Sequence, residues 1–169
     1  EKQDRAVFDQ LQTEEFEIHQ VESGHPYGFV QRMMKMRLYR FVWIFRYRKF
    51  MEKYSAWNKG ALSTALKLID EKQIKLIYSS AAPYVAMDLA IDIKKQRDVQ
   101  WVADIRDPFT EHFGWIWPTK FHWNYCRKLE RKWLSKADRV VVVTEEMKQM
   151  YLDRQLVPSH KLSVITNGF

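Results

Sequence analysis

The residues best suited to chemistry are Asp104, Arg106 and Asp107, in the run Trp101-Val102-Ala103-Asp104-Ile105-Arg106-Asp107-Pro108-Phe109. An apolar, strand-like stretch ending in three charges and a proline reads as a strand leaving a sheet. In open α/β sheets, ligands bind just beyond the carboxyl ends of parallel strands. Side chains alternate along a strand, so Asp104 and Arg106 share a face. A pairing between them would fix the guanidinium, whose several planar donors suit a phosphate. Asp107, before Pro108, is placed to open a turn and to accept a hydrogen bond from a ligand hydroxyl. A simple Asp–Arg pair that shapes the loop explains the same spacing.

Two more strand-to-helix junctions offer polar groups. Ser79-Ser80-Ala81-Ala82-Pro83 puts hydroxyls and small residues before a helix, with Pro83 expected at its first position. A helix N-terminus there favours an anion or polar ligand, and serine capping accounts for the same residues. Thr144-Glu145-Glu146 reads as an N-cap with acids in the first turn. Thr144 and Glu145 are kept as cleft candidates. His112 and His122 flank the loop after Phe109; each reads as a surface or partly buried histidine or as a base. Asp104 and Asp107 alone are a weak metal signature without a His or Cys cluster, so no metal is expected. The chain contains no Gly-rich phosphate loop, no dinucleotide fingerprint and no nucleophile elbow.

The elements that must position these residues alternate. Ala61, Leu62, Ala65, Leu66 and Ile69 have helical spacing across 57–72. Ile74 to Tyr78 reads as a strand, followed by a helix from Pro83 to about Gln96. Gln100 to Ile105 is the next strand. Phe121, Tyr125, Leu129 and Trp133 recur every four residues and predict a helix over 120–136. Arg139 to Val143 is a strand, Glu145 to about Arg154 a helix, and Leu162 to Thr166 a last strand. Near-continuous apolar strands separated by helices predict an α/β, three-layer, Rossmann-like domain with a mainly parallel sheet, covered on both faces. Residues 4–12 read as helical and Glu15 to Val21 as an outer strand.

Composition bounds the rest. The 169 residues amount to about one domain, and 46% hydrophobic content is enough for a core. Cys126 stands alone, so an intramolecular disulfide is excluded and a reducing, cytoplasmic setting is expected. The net charge of +7 sits in residues 29–54, where eight Lys/Arg face one acid, Glu52. The remaining 20 basic and 20 acidic residues cancel. That segment interleaves its cations with Trp43, Phe41, Phe45, Met33 and Met34. It reads as a basic aromatic helical insertion that either packs on the sheet or lies on an anionic membrane surface. Its longest apolar run, Phe41 to Phe45, is far too short to span a bilayer. Nucleic acid is not an expected partner, because no recognised binding motif accompanies the charge.

Over residues 57–169 the order of these motifs resembles the N-terminal, acceptor-side domain of family-4, GT-B-type glycosyltransferases. The likeness is carried by Ile74-Lys75-Leu76-Ile77-Tyr78-Ser79-Ser80, by the Asp104 to Phe109 segment, by Ser135-Lys136-Ala137-Asp138-Arg139 with the valines that follow, and by Asn167-Gly168-Phe169. The resemblance implies one half of a two-domain enzyme with a cleft between Rossmann-like halves. It implies retaining, metal-independent transfer with no cofactor beyond a nucleotide-sugar co-substrate. That donor would be bound mainly by a C-terminal domain after Phe169, and Asn167 and Gly168 would start the hinge. A first strand would precede Glu1, so the chain is expected to be an excised piece, possessing an incomplete sheet and inactive alone. Relatives carry a His-Asp pair where this chain has Arg106-Asp107, so these two become the expected catalytic contacts. Ser79, Ser80, Pro83, Asp104, His112, Thr144 and Glu145 are the expected acceptor or cleft residues. The acceptor is expected to be lipid-linked or polysaccharide, at the inner membrane face. A non-catalytic module docking a membrane or protein through residues 29–54, and a small-ligand domain of another enzyme class, are the alternatives.

Overall fold

The strand-like runs pair into one parallel sheet in sequence order. A computed structural model describes residues 17–22, 32, 35–36, 57–111, 117 and 119–168. Its elements are α1 (Asn58–Lys72), β1 (Leu76–Ala81), α2 (Val85–Lys94), β2 (Gln100–Ile105), α3 (Lys120–Lys136), β3 (Arg139–Val142), α4 (Glu145–Asp153) and β4 (Leu162–Val164). The sheet order is β1-β2-β3-β4. Register aligns Ser80 with Asp104 and Asp104 with Val141, so equivalent residues of neighbouring strands share a face. The architecture is α/β and Rossmann-like, as the alternation of elements predicts.

One consequence of the sequential order is that the described helices fall on one side. Crossovers of a single hand between neighbouring parallel strands return to the same face each time. That face carries Ala81, Trp101, Ala103, Ile105, Val140, Val142 and Leu162, packed with Met87 and Ile91 of α2, Cys126 and Trp133 of α3, and Met147 and Tyr151 of α4. A smaller cluster of Ile69, Ile93 and Val99 joins α1 to α2. On the opposite face Leu76, Tyr78 and Ser80 of β1 are exposed, as is Ile165 after β4, whereas Asp104 and Val141 at its centre are buried. Among the described residues no helix covers that face; the expected cover on both faces would fall outside them.

Local chemistry explains the element ends. Thr119 caps α3 by accepting from the His122 N–H, and Thr144 caps α4 by accepting from Met147. Helices α1 and α4 close at Gln73 and Gln155, both left-handed at φ 52°. Each is followed by a bond of the Schellman type, Ile74 N–H to the Ile69 carbonyl and Leu156 N–H to the Tyr151 carbonyl. At the amino end of β2, Asp138 accepts from the Trp101 N–H at 2.7 Å and pairs with Lys94.

Several expectations shift. β1 extends through Ser79 and Ser80 to Ala81, and α2 starts at Val85, so Pro83 precedes its Tyr84 cap instead of opening the helix. The four-residue repeat finds α3, but Phe121 is exposed. Trp133 is buried and Tyr125 and Leu129 pack half-buried against the core, while His122, Cys126 and Glu130 complete the inner face. Residues 17–22 form no strand; Glu17 pairs with Lys72 on α1. The expected helix at 4–12 lies outside the described residues. So does most of the 29–54 segment, of which Arg32, Lys35 and Met36 are described and exposed.

Trp101 tests the core. Its ring is fully buried and its indole N–H donates to Ser79 Oγ at 2.8 Å. Trp101→Ala should lower unfolding free energy by about 3–5 kcal/mol through the cavity it leaves, read as a reduced urea midpoint for the intact protein.

Candidate functional site

Parallel strands deliver their exit loops to one rim, and β1 and β2 bring the candidate residues together there. Asp104, last but one in β2, is 3% exposed. Its Oδ2 accepts from Ser80 Oγ at 2.7 Å and faces Arg106 Nε at 3.4 Å. Tyr78, two residues before Ser80, lies on the same face of β1. Its phenol is pushed up to about 12, first by desolvation and then by the Asp104 carboxylate. A buried carboxylate costs too much to leave bare, and two donors, Ser80 from β1 and Arg106 from the β2 exit, satisfy this one. Arg106 remains about half exposed while its partner is buried. The guanidinium is therefore held at its base, with the rest of its fork open toward solvent.

Asp107 is exposed beside it, and its carboxylate makes no hydrogen bond or ion pair among the described residues. Its backbone is fixed instead, since Tyr84 Oη donates to the Asp107 carbonyl at 2.7 Å. Tyr84 stacks on Trp133 at 6.0 Å and touches Phe109 at 4.5 Å, so an aromatic floor lies under the loop.

The buried acid Glu130 completes the clamp. It is 3% exposed on α3. Oε1 accepts from the Phe109 N–H at 3.1 Å and from Tyr151 Oη at 3.2 Å, and Oε2 bonds Thr110 Oγ1. Arg154 pairs with Glu111 at the far end of the loop. The segment Asp107 to Glu111 is thus tied to α2, α3 and the end of α4. Burial pushes the Glu130 carboxyl above its usual range, outweighing the donors that favour its charge. Burial, with Glu130 nearby, also raises the Cys126 thiol to about 12, which makes it an inert core thiol.

The sequence-predicted residues divide. Ser80, Asp104 and Arg106 form one bonded chain, with Asp107 adjacent. Ser79 points to the opposite face, where its Oγ accepts from Trp101 and donates to Met87 Sδ. Capping by these serines is not observed, since Tyr84 caps α2 without a side-chain bond. Pro83 is exposed in the turn after β1. Thr144 and Glu145 stand at the same rim one strand away; Thr144 is occupied as a cap and Glu145 pairs with Lys148 at 3.2 Å. No described bond joins them to Asp104–Asp107. Asn167 and Gly168 are exposed beyond β4. His122 is buried, with Nδ1 at 2.8 Å from Thr119 Oγ1, and serves the α3 cap. His112 lies outside the described residues. Among those described, no group of three or more His, Cys, Asp or Glu is placed to hold a metal, and no helix is long and apolar enough to cross a membrane. Tyr78, Tyr84 and Glu130 were not anticipated. Glu130 had a signal: it is the one acid of α3 and lies four residues after buried Cys126.

A family model described as Glycosyltransferase Family 4 matches residues 10–169, and the chain belongs to that family. Among curated proteins none matches it. The rim therefore belongs to a glycosyltransferase-type domain.

Glu130 makes a pH prediction. Its folded pKa lies above the ordinary 4.5, so the fold prefers the neutral carboxyl. That contribution is fully present below the unfolded pKa and is lost as pH rises through the folded one. Glu130→Gln should flatten this decline, seen as a smaller change of urea midpoint between about pH 5 and about pH 8. Glu130→Ala should cost about 3 kcal/mol, because the loop donors lose their acceptor.

Proposed function

We propose that this domain is the acceptor side of a two-domain, GT-B-type glycosyltransferase. A second Rossmann-like domain binds most of the nucleotide-sugar, and the two close over the rim of β1 and β2. The acceptor is a glycan or a lipid-linked sugar, and the reaction retains anomeric configuration without a metal. The observation that carries this reading is the chain Ser80–Asp104–Arg106, which aims a partly free guanidinium at the rim beside the unpartnered Asp107 carboxylate.

Transfer breaks the bond between the anomeric carbon and the leaving phosphate and forms one to the acceptor oxygen. The acceptor hydroxyl gives up its proton to the departing phosphate oxygen. Negative charge grows on the departing phosphate, and a preorganised cation stabilises it most where water is excluded. Arg106 supplies that cation, with its Nε side already committed to Asp104. Asp107 accepts a hydrogen bond from a sugar hydroxyl and orients the acceptor. The basic segment 29–54, with Asn167 and Gly168 as the hinge, would bring the enzyme to an anionic membrane face and let its halves move.

In the full-length enzyme, Arg106→Ala should lower kcat/KM roughly 100-fold or more, and Asp107→Asn about tenfold with an unchanged unfolding midpoint. A panel of nucleotide-sugars supplies the assay. Wild-type kcat/KM in Arg106→Ala would remove the rim from the reaction.

A further inference from the structure

The loop that carries Asp107 supports a second structure. Trp117 donates its indole N–H to the Thr110 carbonyl at 3.2 Å, and its ring meets Phe109 edge-on at 6.1 Å. Phe109 and Thr110 are the two loop residues that Glu130 holds. Trp117 is therefore seated on the same anchored loop as Asp107. With Thr119, Lys120, Trp123 and Asn124 it lines a recess of about 530 Å³. A recess of that size, aromatic with a few polar groups, fits a small ligand unit. None of Asp104 to Asp107 lines it.

Its chemistry matches a sugar. A pyranose ring has a face of C–H groups that packs on an aromatic ring, and a rim of hydroxyls that both donate and accept. Two indoles serve the face. Trp117 is fixed by its bond to Thr110, and Trp123 by the Arg127 guanidinium 5.1 Å from its ring centre. Rings already held in place cost little to order on binding. Asn124 and Lys120 serve the hydroxyls, the amide as donor and acceptor and the ammonium as donor. Both are exposed, and among the described residues neither side chain makes a hydrogen bond or ion pair. Thr119 is occupied as the cap of α3.

The recess also stands close to the rim. Helix α3 starts at the end of the sheet where the strands exit. The three residues from Asp107 to Thr110 span at most about 11 Å, an interval that a short oligosaccharide bridges. We infer that the recess is a distal subsite for a further sugar residue of the acceptor, whose reacting residue lies at Arg106 and Asp107. The acceptor is then a glycan chain of at least two residues, and Trp117, Trp123 and Asn124 read its length. In placing the reacting residue the inference rests on the proposed function, although glycan binding needs neither donor nor turnover.

The test titrates the full-length protein, without donor, with gluco-, galacto-, manno- and galacturono-oligosaccharides of one to four residues, followed by calorimetry. At least one series should bind more tightly as it lengthens. In that series Trp123→Ala should weaken the longest member roughly tenfold and Asn124→Ala roughly fivefold, with the monosaccharide unchanged. Asn124 is exposed, so its variant reads the subsite even where loss of Trp123 disturbs α3. Arg106→Ala should keep the preference for length. In turnover, Asn124→Ala should raise KM for the longest acceptor and leave kcat unchanged, a split that general loosening of the domain would not produce. The subsite is overturned when no series strengthens with length, or when both variants bind the longest member as wild type does. Weakening of uridine diphosphate binding, instead of glycan binding, by Trp123→Ala also overturns it, because the rings would then stack a base. Length-dependent binding that these variants abolish, in an enzyme whose Arg106→Ala form transfers at the wild-type rate, supports the subsite and fails only the proposed reaction.

Discussion

The buried carboxyl group of Glu130 is the constraint on which the site depends. A polar group so far from water is tolerated only when it is hydrogen-bonded, and its partners come from the loop after β2 and from Tyr151 of α4. Two helices and an exit loop are thereby joined at one side chain. With Tyr84 holding the Asp107 carbonyl, the loop has a fixed backbone while its two charged side chains stay exposed. That division suits a binding rim, where the backbone must not drift and the side chains must reach a ligand.

The second organising fact is the strand order. Because each strand pairs with its predecessor, the described helices cover a single face, and the other face meets solvent along β1 while burying Asp104 at its centre. Asp104 belongs to that second face, which is why Ser80 reaches it and Ser79 does not. The parity of one residue in β1 separates a hydroxyl that supports the core from one that orients the site.

Charge follows the same division of labour. Acids that matter to structure are buried and fully partnered, as at Asp104 and Glu130. Cations are left on the surface, Arg106 at the rim and six more along α3.

Most elements could be read from the sequence because periodicity is a local signal. Gln100–Ile105 and the helix at 120–136 emerge with the boundaries expected, and the spacing of Asp104 and Arg106 implied their shared face. The turn after β1 was misread because serines and a proline advertise a cap. Pairing with β2 kept Ser79 and Ser80 in the strand. Of the repeat that marks α3, Tyr125, Leu129 and Trp133 face the core, while the equally apolar Phe121 is left exposed. Clusters built from distant segments were not legible either: Glu130 with Thr110 and Tyr151, and Tyr84 with Asp107, meet only when loops and helices pack. By itself the sequence determined which segments are strands and helices, and which charges end the β2 run. Only the tertiary structure decided which hydroxyl faces Asp104, which acid is buried and which helix face is left to solvent, because those depend on register and rotation against neighbours that no local pattern encodes.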